Sequence, residues 1–302
     1  MESPRSSMES PITRRRLLVG GASGIVTTLA GCTSMTPFVG QRLTSDFTVT
    51  PNEAETLSVH GDVGSITLRG EDRADVAVDV VKQSSSLETD LEELDVDATI
   101  RDGTLEISAE YMAELGWMES TPTADLDISI PETLAVERVE SSVGQITIEH
   151  VRGEMDVVTS TGTIDVRNIE GDVSARSTTG RIAIESVAGA VSANATTGRV
   201  EIRDVGETGD VRTSTGRVDV EIQAIRGETR ISTQTGRIEA AVAEDIDASI
   251  WARTSTGRIS HDDIELHDVT SGSNDLRGDL GDGGPSLEFE TSTGRITLTS
   301  LP

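Results

Sequence analysis

The stretch Thr179-Gly180-Arg181-Ile182-Ala183-Ile184 recurs along the second half of the chain and decides the fold. The unit Thr-Gly-Arg-(Ile/Val)-x-(Ile/Val) returns in full around Gly198 and Gly216. Variants of the unit surround five further glycines: Gly144, Gly162, Gly236, Gly257 and Gly294. From position 144 to position 216 the glycines are 18 residues apart, and the later intervals are 20, 21 and 37 residues. A fixed period of this length indicates stacked structural repeats.

Between the glycines, branched aliphatic residues alternate with polar ones, as in Ile182-Ala183-Ile184-Glu185. This period of two is typical of strands that bury one face. One unit cannot bury its apolar face alone, so we predict an all-β fold, a parallel β-solenoid (β-helix) with ~18-residue coils about 4.8 Å apart. Stacking in chain order predicts an internal aliphatic ladder: Ile182, Val200, Val218, Ile238, Ile259 and Ile296. An antiparallel sandwich or barrel also fits the alternation but does not explain the constant period.

The chain divides into regions of different regularity. Residues 46–135 are predicted as irregular β coils at the N-terminal side of the solenoid, with a hairpin turn at Asp102-Gly103. Leu87, Leu91 and Leu94 have the spacing of one short helix. Residues 136–302 are predicted as the regular repeat solenoid, in which Gly- and Asp-rich residues 271–286 form an insertion that lengthens one repeat.

The N-terminal residues predict export and lipidation. Arg14, Arg15 and Arg16 precede a weakly apolar stretch, residues 17–30, that is too short to span a bilayer. It ends in Leu29-Ala30-Gly31-Cys32, and the pattern resembles a twin-arginine signal joined to a lipoprotein lipobox. Residues 1–31 are therefore predicted as a signal peptide, Cys32 as the lipid carrier and residues 32–45 as a tether. The alternative is an uncleaved tail with an incidental cysteine.

The charge balance excludes some functions and indicates a habitat. The chain has 302 residues, 53 Asp and Glu, 25 Lys and Arg, and a net charge of −28. Lys82 is its only lysine. Arginine in place of lysine, together with excess carboxylate, resembles proteins of halophilic archaea, and an ordinary acidic surface protein is the alternative. Nucleic acid is not an expected partner, because phosphate contacts need clustered cations, and one cysteine allows no intrachain disulfide.

Several segments together resemble a known family. They are Val63-Gly64-Ser65-Ile66-Thr67-Leu68, Asp102-Gly103-Thr104-Leu105-Glu106-Ile107, Ile128-Ser129-Ile130-Pro131 and the serial Thr-Gly-Arg-Ile units. They are similar to the "putative adhesin" family, a β-solenoid domain of bacterial and archaeal envelope proteins. The resemblance covers most of residues 46–302. It implies a right-handed parallel β-helix-like body and supplies no catalytic residue to carry over.

An arginine follows the repeat glycine in six units. We call these six side chains the arginine row: Arg181, Arg199, Arg217, Arg237, Arg258 and Arg295. A functional interpretation is an electropositive stripe that binds an anionic ligand such as a surface polysaccharide or a surface-layer glycoprotein. A structural interpretation pairs the row with nearby carboxylates: Glu185, Glu201, Asp219 and Glu239.

Other candidate sites are sparse. Asp275, Asp279 and Asp282 lie in a Gly-rich loop and are weak candidates for Ca²⁺, since they lack the spacing of a calcium motif. Asn194-Ala195-Thr196 matches a glycosylation sequon. No nucleophile constellation or phosphate-binding loop is present in the sequence, and we expect neither a cofactor nor a resident metal.

These features predict a protein without catalytic activity, lipid-anchored on the extracytoplasmic face of the cell membrane. Its expected role is adhesion, binding or envelope scaffolding, and its expected partners are the membrane, through the lipid, and a surface glycan or surface-layer protein. Two alternatives remain open from the sequence: a polysaccharide-acting β-helix enzyme of lyase or hydrolase type, and a self-assembling filament protein.

Overall fold

The computed structural model describes residues 40–86, 89–112 and 121–301. The predicted signal peptide, with Arg14, Arg15 and Arg16, and the predicted lipidation site Cys32 lie outside these ranges. Among the described residues, no helix is long and apolar enough to cross a membrane.

The described residues form strands and one short 3₁₀ helix, Leu91–Glu93. The strands are β1 (Gln41–Val49), β2 (Thr56–Val63), β3 (Ile66–Glu71), β4 (Val76–Ser84), β5 (Leu94–Arg101), β6 (Thr104–Tyr111), β7 (Thr123–Pro131), β8 (Ala135–Val143), β9 (Ile146–Arg152), β10 (Met155–Glu170), β11 (Val173–Ile222), β12 (Thr229–Ala243), β13 (Ala248–Asp263), β14 (His267–Ser271), β15 (Asp275–Leu280) and β16 (Ser286–Leu301).

Each coil contains two strand segments that meet at the repeat glycine, and equivalent segments pair in parallel. Segments before the glycine form the first ladder, in which Val157 of β10 pairs with Ala175 of β11. Segments after the glycine form the second ladder, in which Ile164 pairs with Ile182. The prediction of an all-β, mainly parallel, solenoid-like fold is confirmed, and the antiparallel sandwich is excluded for the repeat region.

The repeat glycine is required where the coils approach each other at the corner. Gly198 has φ +147°, and a Cβ built on it would lie 1.6 Å from the carbonyl oxygen of Gly180. Gly216 stands in the same relation to Gly198, again at 1.6 Å. An L side chain fits neither the backbone conformation nor the space.

The C-terminal coils do not stack in chain order, so the predicted order of the aliphatic ladder is wrong. Strand β16 lies between β12 and β13: Ile296 pairs with Ile238 on one side and with Ile259 on the other. Ile296 is fully buried, whereas Ile259 is only partly buried against the core. The repeat units are alike enough to stack on either neighbour, and residues 264–285 give the chain the length to return.

The sequence predicted that the Gly- and Asp-rich segment 271–286 only lengthens one repeat. The structure differs, because the segment contains a strand of its own. Its strand β15 runs antiparallel to the first segment of β13 and buries Leu276 and Leu280. Strand β14 adds antiparallel to β15. The segment therefore caps the first ladder at its C-terminal end.

The N-terminal end is built in a similar way. The coil of β2 and β3 lies between β6 and β7 on one side and β8 and β9 on the other. Strand β5 caps β6 through the hairpin at Asp102-Gly103, which confirms that turn, while β4 and then β1 cap β7.

Two local predictions in this region differ in part from the structure. Strand β1 already begins at Gln41, so the last five residues of the predicted tether, 41–45, belong to the sheet. The predicted helix shrinks to one 3₁₀ turn because Leu94 begins β5 and pairs with Tyr111, while Leu87 lies outside the described residues.

Candidate binding surface on the second ladder

The arginine row lies on the outward side of the second ladder. Each arginine comes directly before an inward-facing aliphatic residue, as Arg181 precedes Ile182, and successive side chains of a strand point to opposite faces. The pairing of the corners and strands fixes the spatial order of the row: Arg181, Arg199, Arg217, Arg237, Arg295 and Arg258. The last two members therefore exchange places relative to the chain.

Carboxylates neutralise the first part of the row. Arg181 and Arg199 both donate hydrogen bonds to Glu201, the latter at 2.9 Å. Arg217 bridges Asp219 at 2.7 Å and Glu239 at 2.6 Å. The structural interpretation holds for these three arginines.

Glu201 is the most strongly held carboxylate of this group, with a side chain only 14% exposed. Burial disfavours its charged form and would raise the pKa. The hydrogen bonds and positive charges of Arg181 and Arg199 outweigh that effect and hold the pKa of Glu201 below its ordinary value.

One of the carboxylates that were predicted to pair with the arginine row contacts a different arginine. Glu185 does not pair with the arginine row but lies 3.6 Å from Arg167, an arginine that the repeat pattern had not singled out. Arg237 has a looser contact, 3.9 Å from Glu239, which Arg217 already engages.

The row ends in two arginines without a neighbouring carboxylate partner. The residue two positions after Arg199, Arg217 and Arg237 is acidic, and Arg181, which is followed by Ala183, shares Glu201 with Arg199. By contrast, Arg295 is followed by Thr297 and Arg258 by Ser260. Among the ion pairs of the described residues, none includes Arg295 or Arg258, and both side chains are exposed. We call Arg295 and Arg258 the terminal arginine pair.

A shallow depression of about 190 Å³ lies on the same ladder, lined by residues of β11, β12 and β16; Arg295 and Arg258 are not part of its lining. Small side chains create it: Ala241 in β12, and Thr297 and Thr299 in β16, which share the outward side with Arg295. Three carboxylates and one arginine also line it: Asp219, Glu221, Glu239 and Arg203. Arg203 lies 4.0 Å from Glu221, and Arg217 engages Asp219 and Glu239, so the depression offers hydroxyl groups beside carboxylates that are paired with arginines.

The predicted sequon lies in a second depression, of about 200 Å³, on the first ladder. Asn194 is exposed there between Arg176 and Arg212, with Ser192 beside it. Arg176 contacts Asp156, and Arg212 lies 3.2 Å from Asp210. The repeat pattern had not singled out these two arginines, although each is 18 residues from Asn194.

The aspartates proposed as weak calcium ligands do not form a cluster. Asp279 accepts a hydrogen bond of 2.8 Å from the Ser249 hydroxyl, and the backbone N–H of Asp282 donates one to Asp247. Within residues 40–86, 89–112 and 121–301, no three His, Cys, Asp or Glu side chains lie close enough together to hold a metal ion.

Stacked coils with rows of charged side chains and shallow depressions define a class of solenoid-like repeat proteins that present long outward faces. Within that class, the chain belongs to the Toastrack DUF4097 family, whose model matches residues 55–299.

Solved structures of similar proteins share little sequence with this chain. A "putative adhesin" from Bacteroides fragilis is 13% identical, with a TM-score of 0.45, and the match covers 86% of this chain and 97% of that one. A "putative lipid binding protein" from Parabacteroides distasonis is 11% identical, with a TM-score of 0.42, 85% of this chain and 96% of the other being covered. Comparison with curated proteins gives no significant match.

Proposed function

We propose that this chain is a non-catalytic binding or scaffold protein, lipid-anchored through Cys32 on the extracytoplasmic face of the cell membrane. The observation that carries the binding role is the second ladder, a rigid outward surface whose arginine row ends in exposed, uncompensated side chains. The location rests on the sequence pattern that leads to Cys32.

The chemistry of the two depressions favours binding over catalysis. A polysaccharide-cleaving enzyme needs an acid and a base that converge on one substrate bond. The acidic residues at the depressions are instead engaged with arginines: Asp210 with Arg212, and Asp219 and Glu239 with Arg217. Such paired groups suit recognition of a polar surface.

In the described residues, antiparallel strands cover three of the four ladder ends and the second ladder ends uncovered on β13, so the covered ends favour a role as a single chain rather than a filament. At the N-terminal end β5 and β4 cover the two ladders, and at the C-terminal end β15 covers the first ladder. Stacking another chain there would displace antiparallel strands that bury Val78, Leu276 and Leu280.

High salt is the working environment that we propose from the net charge of −28 and the single lysine. In about 1 M salt the Debye length falls to about 3 Å, which screens the repulsion within the acidic body. Recognition then depends on contacts at hydrogen-bond distance. Arginine suits such contacts because its planar guanidinium binds oxyanions in a bidentate manner.

The location is tested by expressing the full chain in a halophilic archaeal host with two variants. We expect the native chain to be membrane-bound and to carry a lipid mass on Cys32. Cys32→Ser should be released into the medium, and replacing Arg14, Arg15 and Arg16 by lysine should keep the protein inside the cell. Unmodified Cys32 in the native protein would contradict the anchor.

The binding role is tested with the same full chain, solubilised in mild detergent, at high salt. Immobilised protein should retain envelope polysaccharide or surface-layer glycoprotein from the host's own envelope fraction. Retention of neither would contradict the role.

A separate measurement tests whether the exposed sequon carries a glycan. The mass of the native chain is compared with that of the Asn194→Gln variant, and a glycan on Asn194 adds mass to the native chain only.

A further inference from the structure

The structure points to a specific ligand site at the end of the arginine row. We infer that Arg295 and Arg258, with Thr297 and Thr299 beside them, bind an acidic sugar unit of a glycan through its carboxylate or sulfate oxyanion. The inference deepens the proposed binding function and rests on it.

The topology brings the two cations together. Arg295 and Arg258 are direct partners in adjacent parallel strands, so their backbones lie about 4.8 Å apart. This neighbourhood exists because β16 returns between β12 and β13. The two positive charges repel each other, and one oxyanion bound between the guanidinium groups offsets that repulsion.

Among the described residues, no carboxylate forms an ion pair with Arg295 or Arg258. Glu239, on the strand next to Arg295, lies 2.6 Å from Arg217 and 3.9 Å from Arg237, and Asp263 of β13 is paired with Thr299 rather than with Arg295. Thr297 and Ser260 stand where the coils of Arg199, Arg217 and Arg237 carry Asp or Glu. The guanidinium donors of Arg295 and Arg258 therefore remain open to an external acceptor.

The pair also lies at an accessible border. Among the strand pairings of the described residues, none extends the second ladder beyond β13, so Arg258 lies on its last strand. The cap strand β15 covers only the first segment of β13, from Ala248 to Arg253. A polymer chain can therefore approach Arg258 from the side as well as from the front.

The neighbouring depression fits the body of a sugar. Thr297 provides a hydroxyl group that donates and accepts hydrogen bonds, while the Thr299 hydroxyl donates to the Ala240 carbonyl oxygen at 3.5 Å and can accept. The carboxylates of Asp219, Glu221 and Glu239 provide acceptors for ring hydroxyls. Ala241 leaves the space above β12 open. Oxyanion donors next to hydroxyl and carboxylate groups match a sugar that carries an acidic substituent.

The first test removes the arginines. Full-length protein at about 1 M salt is titrated with a polyuronate, with sulfated dextran and with neutral dextran as probes. Changing Arg258→Gln and Arg295→Gln should weaken binding of the acidic polymers at least about tenfold, because hydrogen bonds between charged groups are lost. The control, Arg181→Gln with Arg199→Gln, removes two arginines that are engaged by Glu201 and should change affinity less than about twofold.

The second test keeps the arginines and supplies the missing carboxylate. Thr297→Glu restores at β16 the pattern seen with Arg199 and Glu201, so it should occupy Arg295 and weaken acidic-polymer binding to a similar degree. The control is Ala183→Glu, at the equivalent position after Arg181, which should leave binding unchanged. Urea unfolding midpoints of all four variants identify any loss that comes from misfolding.

The outcomes separate the site from the general function. If native protein binds acidic glycan and neither the double arginine variant nor Thr297→Glu weakens it, the site is overturned and the binding function stands. If native protein retains no envelope component at all, the binding function fails first. Preference for the uronate or for the sulfated polymer identifies which oxyanion the pair takes, and equal binding of neutral dextran overturns the site.

Discussion

Arg230 donates a hydrogen bond of 2.8 Å to the carboxylate of Glu288, a residue 58 positions later in the chain. The contact joins β12 to β16 and marks the point at which stacking departs from chain order. Because β16 separates β12 from β13, the C-terminal end of the solenoid is complete only when residues 286–301 have been inserted. The same event sets Arg295 beside Arg258.

The inserted strand should therefore be more sensitive to core truncation than the last strand. We expect Ile296→Ala to lower the free energy of unfolding by about 2 to 5 kcal/mol, since Ile296 is fully buried between two coils. Ile259→Ala should cost less than half as much because that side chain is partly exposed. Urea denaturation of both variants measures the difference, and equal losses would contradict the inserted position of Ile296.

The corner glycines should tolerate no side chain. Gly198→Ala would place a Cβ 1.6 Å from the Gly180 carbonyl oxygen, so we expect a loss of about 4 kcal/mol or more, or failure to fold. Gly227→Ala is the matched control, because no atom lies within 4 Å of the place that its methyl group would take, and it should change stability by less than about 0.5 kcal/mol. A well-folded Gly198→Ala protein with native stability would contradict the corner geometry.

A row of buried hydroxyls offers a stabilising substitution. Thr159, Thr233, Thr254 and Thr291 each stand three residues before a repeat glycine, and none of their hydroxyls has a hydrogen-bond partner among the described residues. We expect Thr233→Val to raise the free energy of unfolding by about 1 kcal/mol, because it removes an unsatisfied buried group without changing shape.

Thr229→Val is the control for this substitution. Its buried hydroxyl lies 3.3 Å from the carbonyl oxygen of Thr208 and 3.2 Å from that of Gly227, so its loss should lower stability by about 1 kcal/mol. Thermal unfolding of both variants checks the opposite signs. A lower stability for Thr233→Val would show that its hydroxyl is satisfied in solution.

Acid should weaken the compensated part of the arginine row. The folded-state pKa of Glu201 lies below its ordinary value, so the stability that it contributes is present above the pKa of the unfolded chain, near 4.3, and is lost as pH falls through the folded-state value. We expect Glu201→Gln to unfold with a flatter pH dependence than native protein below about pH 5. Urea midpoints measured from neutral to acidic pH test this, and parallel curves for the two proteins would contradict it.

Local chemistry makes most of the repeat architecture predictable. Gly180, Gly198 and Gly216 recur at a constant interval, and the alternating residues after each glycine indicate which side chains are buried. The hairpin at Asp102-Gly103 follows from its own turn residues. These features depend on residues close together in the chain.

The order of the coils is not predictable in the same way. The units at Gly236, Gly257 and Gly294 present equivalent aliphatic faces, so the sequence does not distinguish stacking of Ile238 on Ile259 from stacking on Ile296. The 37-residue interval predicts an insertion but not its structure. The alternating apolar residues Leu276 and Leu280 are typical of a strand, and they form the cap strand β15. Thr297 and Ser260, two residues after Arg295 and Arg258, are visible in the sequence, but Ala183 lacks a carboxylate in the same way and Arg181 is still paired with Glu201 of the next coil. The uncompensated pair therefore becomes evident only when the order of the coils is known.

Disulfide cross-linking between outward positions of the second ladder tests the central claim, the inserted C-terminal coil, most directly. In a Cys32→Ser background, the pairs Glu239→Cys with Thr297→Cys, and Thr297→Cys with Ser260→Cys, occupy adjacent strands about 4.8 Å apart and should form cross-links under mild oxidation. Glu239→Cys with Ser260→Cys, two strands or about 10 Å apart, should not. Cross-linking of positions 239 and 260 without cross-linking of 239 and 297 would mean that the coils stack in chain order, and would contradict the account.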